Sequence, residues 1–305
     1  MIAIDLGSNS LRVLAYDCET SKQIAQFEKV VKTADGLAEF GVVNDAAVAR
    51  VIAAIKEAQE EIDFSGKMRA VTTEAVRRAS NSDAVLRKIQ EATGVSFEII
   101  SGDEEARLTL LAVKHRLRKL HHASDSFVLV DIGGGSTELI FHYGEETFSK
   151  SFKVGIVTIA QTYKDLDIIE EALPKEMLEM QMFCAEIYAT KGKPSAFVAT
   201  AGTPTTVAAM KLGFNYETYD AAKINGTSLE KDELDFYLSK LLAMPFEERE
   251  VAVGTGRSVL IAAGILIYKQ LYVLLAFEEG IVVDDGLREG VALDECLKVY
   301  TDKSK

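Results

Sequence analysis

The sequence predicts an α/β protein made of two related lobes. The first observation is an internal repeat. Residues 2–14 and residues 128–140 share one pattern: an apolar strand, an aspartate, a turn of small residues and a second apolar strand. Aligning the two copies places Asp5 on Asp131. Each copy is typical of a β-hairpin with a tip of Gly, Ser and Asn. Two copies in one chain indicate two lobes of similar fold.

The second observation is the order of elements after each hairpin. After the first, apolar periodicity predicts a strand, a helix, a strand, a helix and a strand, at Gln23–Val31, Asn44–Ile62, Met68–Thr73, Ser82–Thr93 and Ser96–Ile100. After the second it predicts a strand, two helices and a strand, at Glu146–Phe152, Ile156–Tyr163, Ile169–Ala189 and Ser195–Ala199. Asn44 and Ser82 are the predicted N-caps. Such an order is typical of a mixed sheet with helices packed on it.

The repeat also predicts where the lobes begin and end. We place the first lobe at residues 1–122 and the second at residues 123–287. A last helix, at about residues 288–305, is expected to pack back on the first lobe.

Composition excludes several classes of protein. A formal net charge of −13 over 305 residues disfavours binding to nucleic acid, which needs basic surface. The three cysteines are far apart and form no CxxC motif, so we expect neither a disulfide framework nor a structural zinc site. Because the chain starts directly on a strand, we expect no signal peptide and a cytoplasmic protein.

One apolar run, Val259–Phe277, has the composition of a membrane span. Lys269 and Gln270 interrupt it, and neither half reaches the ~20 residues that a span needs. We therefore predict a buried core helix and no membrane partner. The alternative is that this run forms the interface of a homodimer.

The two hairpin tips have the composition of phosphate-binding loops. Small residues let backbone N–H groups approach an anion closely, and hydroxyl groups add donors. The candidate phosphate-binding residues of these loops are Gly7, Ser8, Asn9, Ser10, Gly133, Gly134, Gly135, Ser136 and Thr137. A third candidate is the turn at Gly202 and Thr203, which follows a strand and opens a helix with Pro204 in its first turn. The alternative is an ordinary glycine turn, which two copies in register disfavour.

The aspartate at the head of each loop indicates a metal ion. A bare carboxylate beside phosphates repels them unless it faces a divalent cation, and Mg²⁺ takes one or two carboxylates with water and phosphate oxygens. We predict Asp131, and after it Asp5, as Mg²⁺ ligands. Arg12 and Glu138 occupy equivalent repeat positions. Glu138 is a candidate to assist the metal through water, whereas Arg12 either contacts phosphate or pairs with a carboxylate.

Six segments resemble motifs of the exopolyphosphatase / guanosine pentaphosphate phosphohydrolase family. They are Ile4–Arg12, Thr73–Asn81, Ile100–Leu108, Asp131–Glu138, Gly202–Thr203 and Gly286–Gly290. Kinases and chaperones of the same fold group share some of these loosely, whereas the first three together are typical of this family. The resemblance implies the short form of the family, with two lobes of the actin-like, sugar-kinase and heat-shock ATPase (ribonuclease H-like) fold and a cleft between them.

The resemblance also implies a reaction and its residues. The reaction is Mg²⁺-dependent hydrolysis, either of the terminal phosphate of inorganic polyphosphate or of guanosine pentaphosphate to the tetraphosphate. The motif match assigns Glu105 as the group that orients or deprotonates water, although helix-dipole energetics alone would explain a glutamate there. Arg77 is the candidate that holds the phosphoryl oxygens, because a guanidinium fork matches phosphate geometry. Its neighbour Arg78 is expected at the surface if the segment is extended.

Two other functions stay open. A kinase of the same fold would need an acceptor pocket and usually an aspartate base, and the sequence offers no clear candidate for either. A non-enzymatic, nucleotide-binding regulator of actin-like fold is the third hypothesis. The basic run Lys114–His122 favours a solvated helix face, with a track that guides polyphosphate as the alternative.

Overall fold

The computed structural model describes residues 1–122 and 124–303, with side chains described to residue 298. The chain divides into two compact units, the first made of Met1–Ala112 with Gly286–Lys305 and the second of Val113–Asp285. This division falls between Ala112 and Val113, inside the helix Gly102–Lys119, whereas the predicted boundary at residues 122 and 123 lies just beyond the end of that helix. Residue 123 and residues 304–305, which our lobe and last-helix predictions include, lie outside the described residues.

Strands and helices alternate as the repeat predicts. The first unit contains β1 (Ile2–Leu6), β2 (Ser10–Asp17), β3 (Lys22–Val30), α1 (Leu37–Phe40), α2 (Asp45–Glu61), β4 (Met68–Thr72), α3 (Glu74–Arg78), α4 (Ser82–Thr93), β5 (Phe97–Ile99) and the start of α5 (Gly102–Lys119). The second contains β6 (Ser126–Ile132), β7 (Thr137–Tyr143), β8 (Glu146–Phe152), α6 (Ile156–Tyr163), α7 (Leu166–Glu176), α8 (Leu178–Lys191), β9 (Ala196–Thr200), α9 (Gly202–Lys211), α10 (Ala221–Ile224), β10 (Thr227–Glu230), α11 (Lys231–Ala243), α12 (Phe246–Val253), α13 (Ser258–Leu275) and β11 (Glu279–Val282). The last helix, α14 (Leu287–Lys303), belongs to the first unit.

The first sheet and five strands of the second share one topology, which confirms the predicted duplication, and β10 is an additional edge strand of the second sheet. Their strand orders are β3-β2-β1-β4-β5 and β10-β11-β9-β6-β7-β8. In each, a hairpin and its third strand run antiparallel, and the first hairpin strand pairs in parallel with the strand that comes next, β4 or β9.

Helix α14 covers the apolar face of the first sheet together with α5. Its Val291 and Ala292 join the same buried cluster as Ala3 of β1 and Leu108 of α5. A Cβ atom on Gly290 would overlap the backbone carbonyl of Leu108, so the two helix backbones are in direct contact. Glycine is required there because any side chain would force the helices apart.

Of three local predictions about helices, the structure confirms one and contradicts two. Asn44 caps α2 as predicted, because its side chain accepts a hydrogen bond from the Ala47 amide. Ser82 is not a cap, since Asn81 precedes α4 and its side chain instead bonds the backbone of Val43. The predicted helix Ile169–Ala189 is wrong as a single element: it is two helices, α7 and α8, divided at Met177. The apolar periodicity continues across the break and therefore hid it.

Helix α13 is long and apolar enough to cross a membrane by length and composition alone. However, 67% of its 18-residue segment Ser258–Leu275 is buried in the protein. Its side chains pack against α6, α7, α9 and α11 of the second unit. Lys269, near its middle, forms ion pairs with Glu170 and Asp235 at the surface. The prediction of a buried core helix is confirmed.

The spacing of the cysteines led us to expect no disulfide framework, and the structure contains a disulfide that this spacing did not predict. Cys18, just after β2, forms a disulfide with Cys296 of α14. The pattern of cysteines could not show this, because the two residues are 278 positions apart and meet only where α14 returns to the first sheet. Cys184 is free and buried, and burial raises the pKa of its thiol to about 12. A protonated, buried thiol of this kind is unreactive.

We expect Cys296→Ser to lower the free energy of unfolding by about 2–5 kcal/mol, because a cross-link between distant residues restricts the unfolded chain. Urea denaturation of the oxidised protein, with and without reductant, measures this difference. Cys184→Ser is the matched control and should stay sensitive to reductant, whereas Cys296→Ser should not. Equal stability of oxidised wild-type and Cys296→Ser protein would contradict the prediction.

Candidate active site

The candidate residues of the first unit lie at one edge of its sheet. β1, β4 and β5 are mutually parallel neighbours, so their carboxyl ends meet at the same edge. There the chain enters the first hairpin loop, helix α3 and the start of α5. The Thr72 hydroxyl at the end of β4 donates to the Leu6 carbonyl at 2.9 Å, which ties the first two ends together. Loops at the carboxyl ends of parallel strands are the usual ligand sites of such sheets.

The first hairpin loop turns some of its amides outward. The Gly7 amide donates to the Ser10 carbonyl at 3.0 Å, which closes the turn. Amides of the segment 31–34 donate to the carbonyls of Ser8 and Asn9, so these carbonyls face that segment. Because the C=O and N–H groups of one planar trans peptide point in opposite directions, the Asn9 amide points away from it. This amide is the donor that an anion can reach.

A charged row crosses the first sheet beside this loop. The register places Asp5 opposite Arg12, and Arg12 opposite Glu28. The side chains of directly opposed residues lie on the same face. The Arg12 Nε atom is 3.5 Å from Glu28 Oε2, so of the two roles predicted for Arg12 the structure shows the pairing with a carboxylate.

Arg77 and Glu105 meet at this sheet edge. Arg77 donates from Nη1 to the Ile100 carbonyl at 2.7 Å, and the same atom is 3.5 Å from Glu105 Oε2. Its other nitrogen, Nη2, donates to Glu74 Oε2 at 2.6 Å. The segment is the helix α3 and not extended, although Arg78 is exposed as expected. Arg77 is thus held by two carboxylates and a carbonyl.

The two glutamates that begin α5 have different surroundings. Glu105 is only 9% exposed and lies beside Arg77. Glu104 is half-buried and accepts hydrogen bonds from Arg107 at 2.7 and 2.9 Å and from Arg69 at 3.4 Å. The hydrogen bonds from Arg107 lower the pKa of Glu104. Glu104 therefore belongs to a surface ion-pair network, which leaves Glu105 as the candidate for chemistry.

The candidate residues of the second unit also collect at one sheet edge. β6, β9 and β11 are parallel neighbours, and the register aligns Asp131 with Thr200 and Ala199 with Val282. The loop after β6, the turn before α9 and the segment after β11 therefore leave the sheet at the same edge. The Thr200 hydroxyl donates to the Asp285 carbonyl at 3.0 Å.

The second hairpin loop repeats the geometry of the first. The Gly133 amide donates to the Ser136 carbonyl at 2.9 Å. The first amides of α6 donate to the carbonyls of Gly133 and Gly134, so the amides of Gly134 and Gly135 point away from α6. A Cβ atom on Gly155 would overlap the Gly134 carbonyl, and only glycine permits this packing.

The hydroxyl groups of the second loop do not point outward. Ser136 donates to Glu138 Oε1 at 2.8 Å, and Thr137 donates to the Val154 carbonyl at 2.5 Å. We expected both hydroxyls as phosphate donors, and in the structure both make internal hydrogen bonds. The backbone amides remain the donors that this loop presents.

Asp131 and Glu138 form a carboxylate pair in the second unit. The register places Asp131 opposite Glu138, and Glu138 opposite Ser151. Glu138 is 1% exposed, and its Oε1 atom accepts hydrogen bonds from Ser136 and, at 2.7 Å, from Ser151. Two carboxylates on one face fit the donor set that Mg²⁺ prefers. Among the described residues no cluster of three or more His, Cys, Asp or Glu side chains forms a metal site, so water and phosphate would have to complete the shell.

The turn before α9 offers its backbone and an unforeseen arginine. The Thr203 side chain is buried against Gly264 of α13, so its hydroxyl is not available and the backbone amides of Gly202 and Thr203 are the remaining candidate donors. The guanidinium of Arg257 lies 3.0 Å from where a Gly202 Cβ atom would be, and 5.5 Å from the ring centroid of Tyr216. We missed Arg257 in the sequence. The signal was a basic residue directly after Gly254–Gly256 and before an apolar helix.

The basic run Lys114–His122 is partly neutralised. Arg116 forms an ion pair with Asp285 at 2.8 Å. Burial lowers the pKa of His115, and neighbouring cations lower it further, so this histidine is neutral at physiological pH. These pairings favour the interpretation as a helix face over a phosphate track.

Replacing Gly155 by alanine is expected to destabilise the second unit by about 1–3 kcal/mol or more, because the new methyl group must displace the Gly134–Gly135 backbone. Chemical denaturation measures this loss. Gly66→Ala is the matched control, since a Cβ atom there meets nothing within 4 Å. If the two substitutions cost the same, the packing of α6 under the loop does not depend on glycine.

The chain has known relatives over nearly its whole length. The sequence profile of the Ppx/GppA phosphatase family matches residues 16–299. Exopolyphosphatase 2 of Mycobacterium tuberculosis is 27% identical over 317 residues, which cover 95% of this chain and 97% of that protein. Exopolyphosphatase 1 of Mycobacterium leprae is 27% identical over 300 residues, with coverages of 95% and 87%.

Solved structures match in the same way. A Ppx/GppA family member from Aquifex aeolicus superposes with a TM-score of 0.73 at 29% identity, covering 98% of this chain and 97% of that one. An exopolyphosphatase from Cytophaga hutchinsonii has a TM-score of 0.84 at 20% identity, with 97% of each chain covered, and it shows the fold alone. With its duplicated sheets and loops, the chain therefore belongs to the Ppx/GppA phosphatase family and has the two-lobed actin-like fold.

Proposed function

We propose that this protein is an exopolyphosphatase that hydrolyses the terminal phosphoanhydride bond of inorganic polyphosphate. The observation that carries the proposal is the pairing of Glu105 with Arg77 at the carboxyl edge of the first sheet. Membership of a phosphatase family and the names of the exopolyphosphatase relatives support the substrate.

Glu105 is the proposed group that orients and deprotonates water. The water oxygen forms a bond to the terminal phosphorus, the bridging P–O bond breaks, and the proton passes to the carboxylate. The bridging oxygen leaves as part of the shortened chain. Burial of Glu105, which is only 9% exposed, supports this role because it limits the competition of bulk water for the carboxylate. Water is the acceptor of the phosphoryl group in this reaction. A kinase would instead transfer the phosphoryl group to a hydroxyl group of a second substrate.

Phosphate recognition is proposed for groups that supply positive potential locally, since the whole chain carries a charge of −13. The outward amides of Asn9, Gly134 and Gly135 suit phosphate oxygens. Arg77 can hold a phosphoryl oxygen only by exchanging or sharing one of its present contacts. We therefore propose that it orients Glu105 as well as assisting the phosphoryl group.

Magnesium is the proposed cofactor, with Asp131 and Glu138 as the residues that would hold it. When bound, Mg²⁺ neutralises charge on the phosphate oxygens. Asp5 is the weaker candidate, because Arg12 already faces it across the sheet, whereas Asp131 faces a second carboxylate. Ser136 and Ser151 hold Glu138 in place through its Oε1 atom.

Guanosine pentaphosphate is the second candidate substrate. The observation in its favour is Arg257, which places a guanidinium at the start of α9 and stacks near Tyr216. An aromatic ring and a guanidinium together suit a nucleotide better than a bare phosphate chain. The cytoplasmic location and the homodimer stay predictions from the sequence.

With Mg²⁺ present, we expect the protein to release phosphate from polyphosphates of several lengths, and Glu105→Gln to lower kcat by about 100-fold or more, because the amide cannot accept the proton of water. Initial rates of phosphate release measure both, with guanosine pentaphosphate and ATP in parallel. Glu104→Gln is the matched control and should keep turnover within about threefold of wild type, since Glu104 faces the ion-pair network.

Two results would contradict this proposal. Failure of the wild-type protein to release phosphate from any of these substrates rejects the hydrolase. Full turnover by Glu105→Gln rejects Glu105 as the group that takes the proton, while leaving the hydrolase in place.

Asp131→Asn is expected to raise the Mg²⁺ concentration for half-maximal rate by at least about tenfold, because one of two carboxylate ligands loses its charge. Mg²⁺ titration of the initial rate measures the shift. Asp5→Asn is the comparison and should shift the Mg²⁺ requirement less, since Arg12 faces Asp5. A larger shift for Asp5→Asn would reverse our assignment of the metal to the second unit.

A further inference from the structure

We infer that Glu74 is a positioning residue, which acts through Arg77 to keep Glu105 available for water. This inference rests on the proposed hydrolase. Glu74 lies in the segment that resembles a family motif, but neither the pattern nor the chemistry of the reaction had assigned it a role.

The position of Glu74 is unusual for a charged side chain. It is only 8% exposed, at the first position of the five-residue helix α3. A buried carboxylate is unfavourable unless it is paired, and an apolar residue of similar size would serve packing as well or better. A favourable interaction with the helix dipole does not explain it, because so short a helix has a weak dipole and the carboxylate is turned toward Arg77.

The contact with Arg77 fixes one end of a planar group. Glu74 Oε2 accepts from Nη2 at 2.6 Å, while Nη1 donates to the Ile100 carbonyl at 2.7 Å. Only Ser101 separates Ile100 from α5, so Arg77 joins α3 to the start of the helix that carries Glu105. A guanidinium held on both nitrogens has little freedom to rotate.

The distances show which carboxylate Arg77 prefers. Arg77 Nη2 is at hydrogen-bond distance from Glu74, whereas Nη1 stays 3.5 Å from Glu105. A guanidinium and a carboxylate that are free to approach form a bidentate pair with two short hydrogen bonds. Glu74 prevents this by holding Arg77 from the other side. Glu105 is therefore oriented by a cation without both of its oxygens being occupied by it.

Removal of Glu74 should release Arg77 toward Glu105. The carboxylate of Glu105 would then be tied up in a close ion pair, and the water would lose its acceptor. Substrate binding would change little, because the loop amides proposed to hold most of the phosphate oxygens do not contact Glu74, and Arg77 itself is still present. The expected signature is a loss in kcat with a nearly constant KM.

The contact of Glu74 with Arg78 serves as a control for its contact with Arg77. Arg78 approaches the other oxygen, Oε1, with its Nε atom at 3.6 Å, and its side chain is 38% exposed. A merely structural role for the Glu74 charge would involve both arginines. A positioning role involves Arg77 alone.

The test is steady-state hydrolysis of polyphosphate with Mg²⁺ by wild type, Glu74→Ala, Glu74→Gln and Arg78→Ala. We expect Glu74→Ala to lower kcat by about 10- to 100-fold with KM within about twofold of wild type. Glu74→Gln keeps an acceptor oxygen for Arg77 and should recover most of the rate. Arg78→Ala should stay within about twofold of wild type. Thermal denaturation of each variant shows whether it is folded, and Glu74→Leu, which fills the same space without an acceptor oxygen, replaces Glu74→Ala if that variant does not fold.

A double-mutant comparison decides whether Glu74 acts through Arg77. Adding Glu74→Ala to Arg77→Ala should cause no further loss of kcat, because the residue it orients is already gone. Multiplying losses would overturn the inference, as would a wild-type kcat in Glu74→Ala. Absence of phosphate release by the wild-type protein would instead reject the proposed function, and with it this inference.

Discussion

The parallel pairing of β1 with β4, and of β6 with β9, is the constraint on which the candidate site depends. Each hairpin alone would only present a turn of small residues. Once its first strand pairs in parallel with the next strand of the fold, the hairpin tip and the end of that strand leave the sheet at one edge. If β4 ran antiparallel to β1, Thr73–Arg78 would lie at the far edge of the first sheet. Arg77 could then not approach a residue beside the first hairpin loop. Chemistry here follows from strand direction.

The duplicated scaffold carries different charged side chains in its two copies. The same three positions read Asp5, Arg12 and Glu28 in one sheet, and Asp131, Glu138 and Ser151 in the other. An arginine between two carboxylates offsets part of their charge, whereas two adjacent carboxylates are the kind of pair that a cation can neutralise. Glutamate in place of arginine at the middle position, together with serine in place of Glu28, distinguishes the proposed metal site from the internal ion pair. The two copies thus share a geometry and differ in single side chains.

The sequence patterns predicted correctly those elements whose structure depends on residues close together in the chain. The repeat, the hairpins and the cap at Asn44 were readable because their hydrogen bonds span a few residues. The disulfide between Cys18 and Cys296 was not, since it forms only after α14 crosses back to the first sheet. The inward direction of the Ser136 and Thr137 hydroxyls was not predicted for a related reason. A hydroxyl's direction depends on the residues across the strand, and composition describes only which donors exist.

Arg77 shows why a residue type does not determine a role. Its guanidinium matches phosphate, and the sequence alone favours that partner, but in the folded chain two buried carboxylates and a carbonyl compete for the same five N–H groups. Three partners on one side chain leave it well oriented and nearly neutralised. In the function we propose, Arg77 therefore sets the direction of Glu105 and assists the phosphoryl group, while backbone amides and Mg²⁺ would meet the remaining charge of the phosphate chain. Such a division would let a chain with a large negative charge bind polyphosphate without a basic surface.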